Sequence, residues 1–391
     1  MTEPASGRRI QGAWIAAGLF VLTVVAFLRP PLLPDIGRDL TLNATGLGAL
    51  GSVFAFGRLL ADFPAGDLTE RVRSGPMMAF AALLVGVGSI LLATAPGSTV
   101  AFIAVFVLGI GSTWTLTTAV AHFAGAPRGR RGVAMSVFAG ALLAGQAVGP
   151  AAGGGLGALR DWRLALGVGG VLALIVAVPF VLRPGARRAP PKVSGARASV
   201  DSRATPLVLG VIYLLPAVQF AVGAAVVQTV IPIVADADLG LGPGIVGVAL
   251  GVGGLVRLVS AVVSGQVTDR LGRRWALIPG LALQVAGLAV YALVGSVAAM
   301  WTAIVLLSLG SVTVNVGNTM LADLSESGGL GRRLGAFRFT GDAAFMVGPL
   351  LAGILLERSG RLAATMPFLV FTLGVTIASV LVLPETRHAD G

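Results

Sequence analysis

Cysteine is missing from the 391 residues, and histidine occurs only at His122 and His388. Without a thiol there is no disulfide, no thiolate metal site and no cysteine nucleophile. Two histidines so far apart also argue against a haem or zinc centre. The phosphate-cradling run GxxxxGK[ST] is absent, which leaves no ATP-binding signature. No catalytic residues, metal ligands or cofactor are therefore expected. Charge is equally scarce: 12% of residues are charged, against about 25% in soluble domains. With 55% hydrophobic residues and a mean hydropathy of +0.91, a soluble fold would need more interior than it could build. The bilayer is the solvent this composition implies.

What charge there is runs one way, to a net +11. In a soluble protein that excess would suggest nucleic acid. Here the basic residues fall in alternate loops instead. With the N-terminus inside, nineteen of them, from Arg8 to Arg387, lie on the cytoplasmic side, and five (Arg38, Arg160, Arg163, Arg358 and Arg361) lie opposite. This bias puts both termini in the cytoplasm of a multi-pass cell-membrane protein, with lipid rather than nucleic acid as its surroundings. The basic start, MTEPASGRRI, precedes an apolar run that ends in RPPLLP without a small-residue cleavage site. It reads as a retained first helix.

Twelve apolar segments can be placed, each near the ~20 residues a helix needs to cross. In the first half they cover about 12–33, 44–65, 76–95, 98–121, 133–157 and 164–182. In the second they cover about 206–233, 244–264, 275–296, 298–321, 335–356 and 364–384. Between them, residues 184–205 are rich in Pro, Ser and Arg and read as a cytoplasmic linker. The expected fold is an all-α membrane protein of two pseudo-symmetric six-helix bundles, 1–183 and 206–391. We number its spans 1 to 12.

The turn after span 8, Gly265 to Arg274, reads GQVTDRLGRR. Gly265 and Gly272 allow a tight turn, Asp269 can cap a helix or pair with an arginine, and Arg270, Arg273 and Arg274 stay outside the lipid. An offset of 199 residues carries it back onto Gly66, Glu70 and Arg71 after span 2, with Arg58 answering Arg257. The same offset maps Gly111 onto Gly310, Gly149-Pro150 onto Gly348-Pro349 and Gly154 onto Gly353. The chain is a tandem duplication, and an even number of spans in each half makes its repeats parallel. This repeated turn resembles the motif after helices 2 and 8 of the major facilitator superfamily, the large family of twelve-helix secondary transporters. The second copy fits the pattern G-x-x-x-D-R-x-G-R-R throughout. The first has Glu70 for the Asp, Arg73 for the Gly and Ser74 for the first of the paired arginines. By that resemblance the two turns gate the cycle by pinning cytoplasmic helix ends.

Ionisable residues inside spans are costly and by default functional. Six are expected there: Arg29, Arg58, Asp62, Arg257, Arg338 and Asp342. Arg58 and Asp62, four apart, share a helix face and can neutralise each other as a cytoplasmic-side clamp, or can meet protons or substrate. Asp342, in RFTGDAAFMVGP, follows Arg338 by four residues, and its repeat mate is Leu143. Low dielectric favours the neutral form of a carboxylic acid, so Asp342, Arg338 and Asp62 are candidates for proton coupling; a simple Arg338–Asp342 salt bridge is the bland alternative. Arg29, in AFLRPPLLPDI, is either a snorkelling arginine at the outer interface, a partner for Asp342, or a contact for an anionic substrate.

Span 5 carries Gly145, Gly149, Pro150, Gly153 and Gly154 in GQAVGPAAGG. This run flattens a helix face and adds a kink, and in the superfamily it is associated with the drug-exporting antiporters. The arginine those antiporters place four residues before Gly109 is Val105 here, a departure that bears on ordinary antiport. Asp161-Trp162-Arg163 resembles the superfamily's outer loop before span 6 and reads as structural. The resemblance implies a central cavity lined by spans 1, 4, 7 and 10. Polar candidates there are Thr113, Trp114, Thr117 and Thr118, then Tyr213, Gln219 and Gln228, then Asn315 and Asn318. Neutral polar groups in an apolar lining suit amphipathic or aromatic compounds better than sugars.

These observations imply a monomeric secondary transporter, an antiporter exporting small, largely apolar compounds in exchange for protons. The alternative within transport is uptake or facilitated movement of a small organic anion. From a different class, a non-transporting membrane receptor would be expected to carry an appended soluble domain, which the sequence does not hold.

Overall fold

The computed structural model describes residues 5–182, 205–311, 313–324 and 330–384, and every regular element among them is helical. Most of the expected linker lies outside the described residues. Its last residue, Thr205, begins the second half by accepting a hydrogen bond from the Val208 N–H at 3.4 Å. Pro206 follows at the first helical position, where a missing N–H costs nothing.

Spans 2 to 6 are Ala44–Arg71, Ser74–Ala93, Ser98–Ala124, Arg131–Leu159 and Trp162–Leu182. Spans 8 and 9 are Pro243–Leu271 and Arg273–Leu293, and span 10 joins Val297–Leu309 to Thr313–Asp323. The last helical stretch, Leu330–Val382, counts 53 residues. That is roughly 80 Å at 1.5 Å per residue, far more than one bilayer crossing. Gly360 divides it, with φ 78° and ψ −173°, a conformation open to glycine alone. Spans 11 and 12 therefore meet at Gly360, and the twelve expected spans are all present.

Spans 1 and 7 are irregular at overlapping places. Span 1 runs as Ala5–Ala26, breaks, makes a 3₁₀ turn over Pro30–Leu32 and resumes as Leu33–Asp39. Three prolines account for the break, since each removes a donor and crowds the preceding turn. Span 7 runs as Pro206–Ala221, widens into a π-helix over Val222–Val230 and resumes as Ile231–Ala237. The Thr229 hydroxyl follows the wider pitch, donating to the Ala224 carbonyl five residues back at 2.9 Å. At the 199-residue offset the two interruptions overlap. One tightens and the other loosens.

The chain forms two compact units. The first holds Met1–Lys192 and Leu241–Gly254; the second holds Val193–Gly240 and Leu255–Gly391. The repeat offset survives in their packing. In the first unit a Cβ on Gly111 would meet Val85 and one on Gly88 would meet Leu108. In the second, Gly310 meets Gln284 and Gly287 meets Leu307, which are the same residue pairs moved on by 199. Close approach of small residues replaces the hydrophobic drive that lipid cannot supply. Large apolar side chains such as Phe80, Leu83, Val171, Ile175, Val259 and Val263 stay exposed, as lipid-facing residues do.

In the first unit, span 5 is flattened on two faces. Gly145, Gly149, Gly153 and Gly157 recur every four residues and press on span 1 at Thr23, Phe27, Leu28 and Leu32. Gly154 faces Pro243 and Gly247 at the start of span 8, and Ala147 and Ala151 face Gly251 and Gly254. The glycine run expected to flatten one face serves two neighbours.

Candidate functional site

In the first unit the residue that stands out is Arg29. Its side chain leaves the broken end of span 1 and is 8% exposed. The guanidinium carbon lies 4.9 Å from the centroid of the Phe54 ring, within cation–π range. Phe54 is ten residues into span 2, roughly 15 Å from its start at 1.5 Å per residue. The guanidinium thus lies against the body of span 2 and not against its first turn. Among the described residues it has no hydrogen-bond or ion-pair partner, and its Nη1 is fully enclosed.

Span 4 beside it is apolar where the antiporters' arginine would stand, since Val105 is wholly buried. Thr113 is spent on packing, donating to the Arg58 carbonyl at 3.2 Å. Thr118 is buried with its hydroxyl unsatisfied, while half-buried Trp114 stacks edge-on against Phe80 at 5.0 Å. Thr117 is half-buried, as are Arg58 and Asp62.

Where spans 1 and 6 meet, this unit has a polar clamp around a cavity of about 600 Å³ bordered by Asp35, Arg38, Asp39, Arg160, Asp161 and Trp162. Arg163 anchors it. Its guanidinium pairs with Asp39 at 2.8 Å, lies over the Trp162 ring at 4.5 Å and donates to the Ala93 and Ala95 carbonyls at 2.8 and 3.0 Å. The Trp162 indole N–H donates to Asp39 as well, at 3.2 Å. One side chain thus ties together the ends of spans 1, 3 and 6. Arg163→Ala should cost about 2 kcal/mol, less than a buried network because the pair is partly exposed. Thermal unfolding in detergent would register it, and an unchanged midpoint would show the clamp to be ornamental.

In the second unit Asp342 sits on span 11 and is 9% exposed. Arg338, one turn earlier, is exposed, and no ion pair joins the two. Among the described residues no hydrogen bond or ion pair reaches the Asp342 carboxylate. Its chain neighbours pack on span 7: Gly341 against Pro216 and Phe220, and Phe345 edge-on against Phe220 at 6.1 Å. Gly348, further along span 11, lies against Ala221 and Ala225, where the π-helix begins.

Gln219 is committed within the unit. Its Oε1 accepts from Gln284 Nε2 at 2.8 Å and from Thr313 Oγ1 at 3.3 Å, while Gln284 also donates to the Gly310 carbonyl at 2.9 Å. Gln284, 0% exposed, was not singled out in sequence. A lone amide in an otherwise apolar stretch of span 9 was the available signal. Tyr213 and Gln228 are half-buried, Asn318 likewise, and Asn315 is exposed.

The side chains of Glu70, Arg71 and Asp269, and the surroundings of Gly66, lie outside what is described. The rest of the second turn is clear. Gly272 has φ 111°, which a side-chain-bearing residue would resist, whereas Arg73, its counterpart, has an ordinary extended φ of −65°. The degenerate copy makes a different turn and does not need the glycine. Arg273 pairs with Asp323 at the end of span 10 at 3.0 Å, and Arg274 donates to the Val380 carbonyl of span 12 at 2.7 Å. In a double-mutant cycle, Arg273→Ala and Asp323→Ala should be strongly non-additive, with a coupling of about 1–2 kcal/mol. Additive losses would mean the pair contributes nothing jointly.

The sequence model of the major facilitator superfamily matches residues 15–234 and 214–391. No curated protein matches the chain. Among solved structures it is similar to a bacterial homologue of the human lysosomal transporter Spinster. Against the inward-facing, occupied form the TM-score is 0.81 at 13% identity, over 100% of both chains. Against the inward-facing, unoccupied form it is 0.73 at 13% identity, over 97% of this chain and 96% of that one. At that identity the likeness concerns the fold. With the family model spanning both halves and twelve spans built as two repeats, this multi-pass membrane protein belongs to the major facilitator superfamily, a family of transporters rather than enzymes.

Proposed function

We propose that the protein is a monomeric, proton-coupled exporter of small, largely apolar organic compounds, seated in the cell membrane with both termini cytoplasmic. The observation that supports coupling is Asp342: a buried carboxylate on an apolar span, with no counter-charge among the described residues. Such a group changes charge with each proton it takes or releases, and the two forms are solvated at very different cost in a low-dielectric wall. That difference can bias a conformational equilibrium, which is all a coupling ion must do. The polar residues of spans 4, 7 and 10 are mostly neutral, which supports an apolar or amphipathic substrate. The turns at Gly66–Arg73 and Gly265–Arg274 act as gates by pinning the cytoplasmic ends.

The test is reconstitution into liposomes with an imposed pH gradient and a panel of lipophilic cations, neutral aromatics and small carboxylates. An exchanger accumulates substrate inside acid-loaded vesicles and loses it when an uncoupler collapses the gradient. Accumulation only in alkaline-loaded vesicles would make the protein a symporter and end the export reading. Equilibration without concentration under either gradient would end proton coupling.

A further inference from the structure

We infer that Arg29 is an oxyanion subsite, so that the transported compounds are amphipathic acids: an apolar body carrying one carboxylate. The inference rests on the transport reading above and assigns its substrate chemistry.

A guanidinium taken out of water needs a counter-charge or a full set of acceptors. Arg29 is 8% exposed, and among the described residues it has neither; the Phe54 ring lies beneath it. The acids of the first unit whose side chains are described are used elsewhere. Asp35 pairs with Arg38, and Asp39 holds Arg163 and Trp162. Asp161 accepts from the Arg163 N–H. Asp62 lies eight residues beyond Phe54 on span 2, roughly 12 Å further along, and has a partner of its own. No described acid of this unit answers the charge, and a ligand that brings one would.

The position of the guanidinium along span 2 favours a solute over a lipid head group. A bilayer phosphate sits at the interface, whereas the guanidinium lies beside a residue roughly 15 Å into its span. What reaches Arg29 must enter the protein. The guanidinium fork matches two carboxylate oxygens, and the Phe54 face leaves an apolar surface for what is attached to them. Arg29 also stands where the second repeat has Gln228, so the charge belongs to one half and is not part of the duplicated scaffold.

The experiment uses proteoliposomes of the full chain and matched pairs of aryl-alkanoic acids and their primary amides, equal in shape and different in charge. Wild type should move at least one acid tenfold faster than its amide. Arg29→Gln should erase that preference while amide flux persists, and Arg29→Lys should retain part of it. Because Gln removes an uncompensated buried charge, its melting temperature should equal or exceed that of wild type. Movement of amides in preference to acids, or an acid preference that survives Arg29→Gln, would overturn the subsite and leave transport standing. Movement of neither member of any pair would sink the transport reading itself. Stabilisation of wild type by phosphatidylglycerol vesicles, with no response to any acid, would reassign the guanidinium to lipid phosphate and overturn the proposal as well.

Discussion

A valine at Gly153 should leave the first unit unable to assemble, with the protein lost to aggregation or degradation instead of merely slowed. A Cβ at that position would fall inside the Leu28 carbonyl oxygen, with the Leu28 carbon at 2.8 Å. The obstacle is backbone, which cannot swing aside as a side chain end does. To admit even a methyl, spans 1 and 5 would have to separate, and the neighbouring seats at Gly145, Gly149 and Gly157 would open with them. Overpacking typically costs 1–3 kcal/mol. A branched side chain against backbone, with contacts forfeited along four turns, should exceed that and approach the ~5–15 kcal/mol that holds a typical protein together. Gly155, two residues on, provides the control. It is exposed, and a Cβ there meets nothing within 4 Å, so Gly155→Val should leave folding unchanged. Monodispersity in detergent and thermal unfolding separate the two. Equal behaviour would mean that the seam between spans 1 and 5 is not what holds the unit together.

The sequence announced that seam only in part. Glycines at four-residue spacing are visible in the text of span 5, but which helix they meet is a tertiary fact. The second stripe, against Gly247 and Gly251, needed the fold. Spans themselves were legible because lipid demands long apolar runs and the loops between them carry the charge. Even where two spans run on as one helical stretch, as at Gly360, the break was legible, because Glu357, Arg358 and Arg361 interrupt the apolar run. The π-helix over Val222–Val230 had no signature at all: VGAAVVQTV is as apolar and as helix-compatible as its flanks. Charged residues in spans could be named in advance because each is an exception to the composition. Their partners could not, and Asp323 opposite Arg273 became visible only when spans 9 and 10 were placed side by side.

The two halves share scaffold and differ in chemistry. Positions that carry close packing recur at the 199-residue offset: Gly111 and Gly310, Gly88 and Gly287, Leu108 and Leu307. Arg58 and Arg257 recur as well, but other positions that carry charge or a buried amide inside a span do not. Arg29 is answered by Gln228, Gln284 by Val85 and Asp342 by Leu143. Even the shared interruption of spans 1 and 7 is resolved differently, by a 3₁₀ turn in one and a π-helix in the other. A duplicated fold supplies symmetric bundles; substrate and coupling ion need asymmetric ones, and the residues that break the repeat are where to look for both.

Asp342→Asn should abolish concentrative transport while leaving the protein folded and the substrate bound. The amide keeps the size and hydrogen-bonding capacity of the acid, and no ion pair is lost, because Arg338 is exposed and does not pair with Asp342. What disappears is the ability to carry a proton. Three readouts divide the outcomes. Uptake against a gradient should fall to the level of empty liposomes. Exchange of labelled for unlabelled substrate at equal pH on both sides should persist, since it needs alternation without net proton movement. The dependence of that exchange on pH should flatten, as the fixed neutral side chain no longer follows proton activity. Arg338→Gln, by contrast, should leave gradient-driven uptake intact, and Asp342→Glu should recover part of it. Full concentrative uptake by the asparagine variant would remove Asp342 from the coupling mechanism and move the search to Asp62. Loss of exchange along with uptake, in a folded protein, would instead mark the carboxylate as part of the alternating machinery, needed whether or not a proton is moved.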